Sequence, residues 1–159
     1  MKSKVIYRAA QDLDQNAIVT FQMAMALETE NLKLDLGACT QGVRALFENP
    51  HRGKYYVAER GDAVIGSILI IPEWSDWRNG EVWWIHSVYL IPEERGNKIF
   101  SSFYKFIQTL ALSDKGIRGL RLYVDKTNLN AQAVYKKLGM SNHHYDLYEW
   151  MATTAPDQS

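Results

Sequence analysis

Apolar residues along the chain recur with a period of about two in some stretches and about 3.6 in others, and the changes of period mark its elements. Lys4 to Ala9 is a short β-prone segment. Asp12 or Asp14 is placed to cap a helix in which Ile18, Phe21, Met25 and Leu27 recur at close to helical spacing and which ends near Glu30. Thr40 is the expected N-cap of a second, short helix with Val43, Leu46 and Phe47 on one face and Asn49-Pro50 as its stop. Tyr55 to Glu59 and Ala63 to Ile71 flank Arg60-Gly61-Asp62, the composition of a tight connection, so the two runs are expected to pair antiparallel. After the polar turn Ser75 to Gly80, the Trp-, Val-, Ile- and Tyr-rich run Glu81 to Ile91 predicts a central strand ending at Pro92. A helical period then takes over, with Ile99, Phe103, Phe106, Ile107 and Leu110 forming a stripe that stops near Asp114 to Gly116. Leu120 to Val124 predicts a buried strand, Asn128 to Leu138 a helix closed by Gly139, and His144 to Met151 a last strand.

With 159 residues and 47% hydrophobic content, the chain fits one compact domain over residues 1–152, followed by a polar tail over 153–159. Eighteen Lys plus Arg balance 18 Asp plus Glu, so no broad basic field exists to hold a nucleic-acid backbone or an anionic membrane. Recognition has to be local. The single cysteine, Cys39, has no disulfide partner in the chain and no Cys or His neighbours at zinc-ligand spacing, which points to a reducing compartment, no structural metal and a partly buried packing role. No apolar run has the length of a signal peptide's core or a membrane helix, and the expected location is cytoplasmic.

Candidate chemistry begins where the strand ending in Val88-Tyr89-Leu90-Ile91-Pro92 feeds a helix opening near Gly96. A helix N-terminus directs unpaired N–H groups and a partial positive charge outward, which suits a pyrophosphate, and Arg95 and Lys98 add charge. Gly96 is the only glycine from Arg95 to Phe100, so neither a P-loop nor a dinucleotide fingerprint is present. Taken by itself, the turn reads first as an ordinary helix start with exposed basic residues.

A second segment, Asn128-Leu129-Asn130-Ala131-Gln132-Ala133-Val134-Tyr135-Lys136-Lys137-Leu138-Gly139-Met140, changes that picture. Asn128, Ala131, Tyr135, Lys137, Gly139 and Met140 match a helix pattern of the GNAT superfamily of acetyl-coenzyme A dependent N-acetyltransferases, which the chain resembles in element order along nearly its whole length. Arg95-Gly96-Asn97-Lys98-Ile99-Phe100 resembles the superfamily's pyrophosphate loop, with Lys98 where its first Gly is expected and Phe100 where a small residue is expected. The resemblance implies an α/β (α+β) fold: a mixed, mostly antiparallel central sheet of six to seven strands flanked by about four helices.

By the same resemblance, the backbone of Val88, Tyr89 and Leu90 pairs with the pantetheine amides like an added strand. The pyrophosphate sits over Arg95, Gly96, Asn97, Lys98, Ile99, Phe100 and Ser101, Asn128 hydrogen-bonds the cofactor arm, and Tyr135 brings its hydroxyl near the thioester sulfur. A phenol suits that place because it can protonate or hydrogen-bond a departing thiolate; the alternative for Tyr135 is packing on the sheet. The amine attacks directly in superfamily mechanisms, so a base is needed, and His86 on the cofactor-bearing strand is the candidate by type and place, a hydrogen-bonded packing role being its alternative.

Glu28 and Glu30 end the first helix, which borders the acceptor site in this superfamily, and only one of two residues spaced i, i+2 is expected to face it. Trp74, Trp77, Trp83 and Trp84 lie within eleven positions; Trp83 and Trp84 alternate sides of a strand, so one can line an acceptor pocket while the other packs. His143 and His144 are expected at the surface or a dimer interface. The expected activity is transfer of acetyl from acetyl-CoA to a primary amine, on a small molecule or a peptide, without a metal and by a homodimer. Two other readings are a noncatalytic acyl-CoA sensor or interaction module on the same fold, and an unrelated nucleotide-binding α/β protein.

Overall fold

A computed structural model of the chain describes residues 3–152, so the expected tail at 153–159 lies outside the described residues. The chain divides into two compact units, one running to Leu122 and one starting at Tyr123. The first unit contains, in order, strand β1 (Val5–Ala9), a 3-10 turn (Asp12–Asp14), helices α1 (Gln15–Glu30) and α2 (Leu36–Glu48), and strands β2 (Lys54–Arg60), β3 (Ala63–Ser75) and β4 (Gly80–Leu90). A second 3-10 turn (Pro92–Glu94), helix α3 (Ile99–Ser113) and strand β5 (Ile117–Arg121) complete it, and the second unit carries helix α4 (Leu129–Lys137).

The five strands form one sheet in the order β1-β2-β3-β4-β5, antiparallel throughout except for the parallel pair β4–β5. This is the expected mixed, mostly antiparallel sheet with four helices, built from five strands among the described residues rather than six to seven. Alternation along β2 gives the sheet two covered faces. Tyr55 and Val57, with Leu69 of β3, bury Ile18 and Val19 of α1 and Val43 of α2. Tyr56, pointing the other way, meets Phe106 of α3 edge-on at 5.9 Å, and Tyr7 of β1 packs on Phe103 at 5.1 Å. Both faces are sealed by aromatic and β-branched side chains, whose burial contributes about 1.5–3 kcal/mol per fully covered residue.

Several elements depart from their sequence expectations for local reasons. Helix α2 starts a turn before Thr40 because Asp35 is its cap, accepting from the Ala38 amide at 2.7 Å; the Thr40 hydroxyl instead donates back to the Leu36 carbonyl at 2.7 Å. Asp14 stands at the start of α1 without capping it, because Arg8 draws its carboxylate inward. Leu27 is exposed because nine positions from Ile18 carries it half a turn round to the far side of the helix. Strand β5 begins at Ile117, ahead of the expected Leu120, because its ladder with β4 opens where the Glu81 amide donates to the Gly116 carbonyl at 2.8 Å. The expected strand His144–Met151 is absent: no other strand exists among the described residues of its unit to pair with its backbone, and Tyr145, Leu147, Tyr148, Trp150 and Met151 are exposed.

Candidate active site

The only parallel pair among the described strands, β4–β5, marks the place where chemistry can be housed. Parallel neighbours need a crossover, here α3, which leaves β4 at its carboxyl end and returns the chain to the start of β5. The N-terminus of α3 therefore lies at the carboxyl end of β4, the position at which open sheets bind ligands. Pairing between β4 and β5 stops at Trp84, while β4 continues through Ile85 to Leu90 with β3 on one side and no strand along the other among the described residues.

That overhang is also bent. The β3–β4 register shifts between Ser67 and Leu69, and Ser87 occupies the left-handed region at φ 49°, so Ser87 and Val88 together face a single β3 position. Such a conformation costs a residue with a Cβ about 1 kcal/mol or more and marks a site where the fold imposes geometry on the backbone. Gly66, opposite Leu90, allows the close approach of β3 to this region: a Cβ there would stand 2.6 Å from the Tyr89 carbonyl oxygen.

The turn from β4 into α3 is tied down on two sides. Glu94 is buried and takes both guanidinium arms of Arg60, Nε and Nη2, at 3.0 Å each. The next residue, Arg95, donates through Nε to the Leu90 carbonyl at 2.9 Å and through Nη2 to Glu28 Oε2 at 2.8 Å, with its guanidinium over the Tyr89 ring at 5.2 Å. The Tyr89 hydroxyl donates to Glu28 Oε1 at 3.2 Å, and the Tyr89 ring stacks on Phe21 of α1 at 5.2 Å. Burial, followed by the charge of Glu28, raises the Tyr89 hydroxyl above its ordinary value of 10.0, so it stays a donor.

Gly96 at φ 79° and Lys98 at φ 58° both lie in the left-handed region. Lys98 thus adopts the conformation for which a glycine is expected at that point of the loop. Its side chain does not cap α3, and the first helical bond runs from the Ser102 amide to the Lys98 carbonyl at 3.1 Å. The amides of Ile99, Phe100 and Ser101 precede that bond, at the positive end of a 15-residue helix with no acidic residue in its first turn. An anion placed there meets the backbone donors of a helix start that carries no acidic residue in its first turn.

On the α1–α2 face, Leu69 pairs with His86 and Ile71 with Trp84, and the Trp84 and His86 rings lie 6.1 Å apart. Burial lowers the His86 imidazole below its ordinary 6.5, which leaves it uncharged and able to take a proton at neutral pH. Trp83 points to the opposite face and donates to Glu81 Oε2 at 3.3 Å. Glu28 is drawn to Tyr89 and Arg95, whereas Glu30 is an exposed helix end. Trp74 and Trp77 are exposed in the β3–β4 hairpin, and His143 and His144 are exposed as well.

In the second unit, Asn128 caps α4, its Oδ1 accepting from the Ala131 amide at 3.1 Å, which leaves its side-chain NH2 as the group able to donate to a ligand. Gly139 at φ 86° closes the helix, with the Met140 amide donating to the Tyr135 carbonyl at 3.0 Å. Burial raises the Tyr135 hydroxyl above its ordinary 10.0, so it carries its proton at neutral pH. The Asn-to-Gly-Met pattern is thus a capped helix with its stop signal, and the cap and closure explain two of its matched positions.

Three features, involving four residues, give no signal within a sequence segment. Ser87 gives no local signal, because a serine inside a β-rich run does not announce a left-handed bulge. Arg60 and Glu94 are 34 positions apart, and no periodicity connects them. Tyr89 was expected to act through its backbone, and its hydroxyl contact with Glu28 depends on the tertiary approach of α1.

Known proteins share both the architecture and the sequence. A possible acetyltransferase from Clostridium difficile 630 has a solved structure that superposes with a TM-score of 0.87 at 40% identity, covering 93% of this chain and 97% of that one. A predicted acetyltransferase from Clostridium acetobutylicum, solved with acetyl-CoA, shares the fold with a TM-score of 0.71 at 21% identity, covering 94% and 95% of the two chains. The thialysine N-epsilon-acetyltransferase of Bos taurus is 36% identical over 80 residues, 50% of this chain and 46% of the bovine protein, so the match spans about half the length of that relative. The acetyltransferase (GNAT) family pattern matches residues 22–140, from within α1 through the overhang of β4, the turn into α3 and the whole of α4, and the chain belongs to that family.

Proposed function

We propose that this protein is an acetyl-CoA-dependent N-acetyltransferase whose acceptor is a small primary amine. The observation that carries the reading is the β4 overhang beside the uncapped start of α3. A strand edge of Ile85–Leu90 suits the amides of an extended pantetheine arm, and the amides of residues 99–101 suit the diphosphate at its end. In a member of this family, that pairing of a ladder edge with an anion-holding helix start favours coenzyme A over a bare nucleotide.

Catalysis then requires deprotonation of an ammonium, attack of the free amine on the thioester carbonyl, and expulsion of the thiolate. His86, kept uncharged by burial, is assigned the first task; Tyr135, kept protonated, is assigned the last. Trp84 shares the His86 face and supplies an aromatic surface for an alkylammonium. The bovine relative's name, a thialysine N-epsilon-acetyltransferase, supports a small amine as the acceptor.

Release of free coenzyme A thiol with a panel of amines tests the reading. Tyr135→Phe is expected to lower kcat by roughly 100-fold or more, the usual worth of a positioned acid, while coenzyme A affinity stays within about twofold. His86→Ala is expected to remove the acidic limb of the kcat/KM profile, which in the wild type lies below pH 6.5 because the imidazole's value is lowered. An unchanged rate in the first variant, or an unchanged limb in the second, rejects the corresponding role.

A further inference from the structure

Glu28, Tyr89 and Arg95 form a cluster in which both carboxylate oxygens are occupied by different partners. Oε1 accepts the Tyr89 hydroxyl at 3.2 Å, and Oε2 accepts Arg95 Nη2 at 2.8 Å. The first contact anchors the carboxylate to β4. The second neutralises it with a guanidinium that stands three positions before Lys98, the N-cap of α3.

The two contacts differ in how readily they can be exchanged. The Arg95–Glu28 bridge is half exposed, with side-chain exposures of 45% and 40%, and a pair of that kind contributes at most about 1 kcal/mol. A guanidinium on a doubly charged diphosphate makes stronger, charge-assisted bonds. Arg95 Nε is meanwhile held by the Leu90 carbonyl at 2.9 Å and its plane rests over Tyr89, and because the guanidinium is a rigid planar fork it leaves Glu28 as a unit, reorienting the Nε bond together with the Nη2 bond.

We propose that Arg95 masks Glu28 in the empty enzyme, and that the diphosphate of coenzyme A draws Arg95 away, freeing Oε2 of a Tyr89-anchored carboxylate to hold the ammonium of the acceptor. This rests on the acetyl-CoA reading above. It makes Glu28 a specificity-determining residue for cationic acceptors whose charge becomes available only once the cofactor is bound. Because binding couplings are reciprocal, the cofactor and the amine each strengthen the other's binding by the same factor.

Calorimetric titration of coenzyme A into the wild type, Glu28→Gln, Arg95→Gln and the double variant separates the outcomes. Glu28→Gln is expected to tighten coenzyme A by about 1.4- to 5-fold, since no bridge remains to be broken. The same substitution made in the Arg95→Gln background is expected to give no gain, and pantetheine, which lacks the diphosphate, should bind the wild type and Glu28→Gln alike. Glu28→Asp, whose shorter side chain withdraws from Arg95, should shift coenzyme A affinity in the same direction and serves if the glutamine variant melts early. Unchanged or weaker binding by both Glu28 variants overturns the mask. A gain that persists in the Arg95→Gln background overturns it too, since that is plain repulsion between Glu28 and the phosphates. Failure of the wild type to bind coenzyme A overturns the acetyl-CoA reading itself, and the mask with it.

Discussion

Lys98 holds a left-handed backbone at φ 58° immediately before α3, a conformation that glycine adopts freely and a residue with a Cβ adopts at a cost of roughly 1–2 kcal/mol. Part of that cost is offset because lysine loses less backbone entropy on folding than glycine does. Lys98→Gly is accordingly expected to raise the unfolding free energy by about 0.5 kcal/mol, whereas Lys98→Ala, strained like lysine, should not. Thermal melts of both variants check the claim, and equal stabilities would show that the loop is not strained there. Lys98 therefore holds a backbone shape that glycine adopts freely, with the amides of residues 99–101 following it at the start of the helix.

At the scale of elements, the start of α2 is the most direct test of what local sequence encodes. Asp35→Ala is expected to cost about 1 kcal/mol by removing the acceptor for the Ala38 amide, while Thr40→Ala, which removes only a back-bond inside the helix, should cost far less. Urea unfolding of the two variants decides between Asp35 and Thr40 as the cap. Sequence reasoning located α2 but not its first turn, because both residues are good caps and only the fold decides which one leaves the helix. Periodicity is strong enough to place β2, β4 and α3 close to their observed bounds and to start β3 at Ala63, but β3 runs on past the expected Ile71 to Ser75, where the sequence turns polar while the ladder with β4 continues. It failed where pairing decided the outcome, at the start of β5 and in the expected last strand. The candidate site was legible as far as the turn and the α4 pattern went. The Ser87 bulge, the Arg60–Glu94 tie and the Glu28 cluster arise from contacts between elements distant in sequence, and no spacing within a segment reports them.

One of the buried charge groups of the first unit lies apart from the candidate site. Asp14 is fully covered and takes both Nη atoms of Arg8, at 2.7 and 3.1 Å, and Arg8 also holds Glu59, joining β1, the turn before α1 and β2. Burial alone would raise the Asp14 carboxyl, but hydrogen bonds from Arg8 and the Gln11 amide and the charge of Arg8 outweigh it and hold the group below its ordinary 3.8. A depressed carboxylate stabilises the fold above the unfolded value and loses that contribution as pH falls through the folded one. Urea midpoints measured from pH 5 down to pH 2 should thus fall below about pH 3.8, and Asp14→Asn should flatten that fall while costing about 3 kcal/mol at neutral pH. An undiminished acid slope in the variant would assign acid sensitivity to other carboxylates. No helix among the described residues is long and apolar enough to cross a membrane. The β4 overhang has a consequence for handling the protein as well as for its chemistry. A ladder edge with no strand laid along it among the described residues is a template on which other chains can register, and natural sheets ordinarily guard such edges with charge, proline, a bulge such as that at Ser87, or a covering segment. Ile85–Leu90 contains no proline and no Lys, Arg, Asp or Glu, so this edge lacks two of those guards in its own sequence. Whatever occupies the edge is therefore also its protection against self-association, and the empty protein is the form to keep dilute.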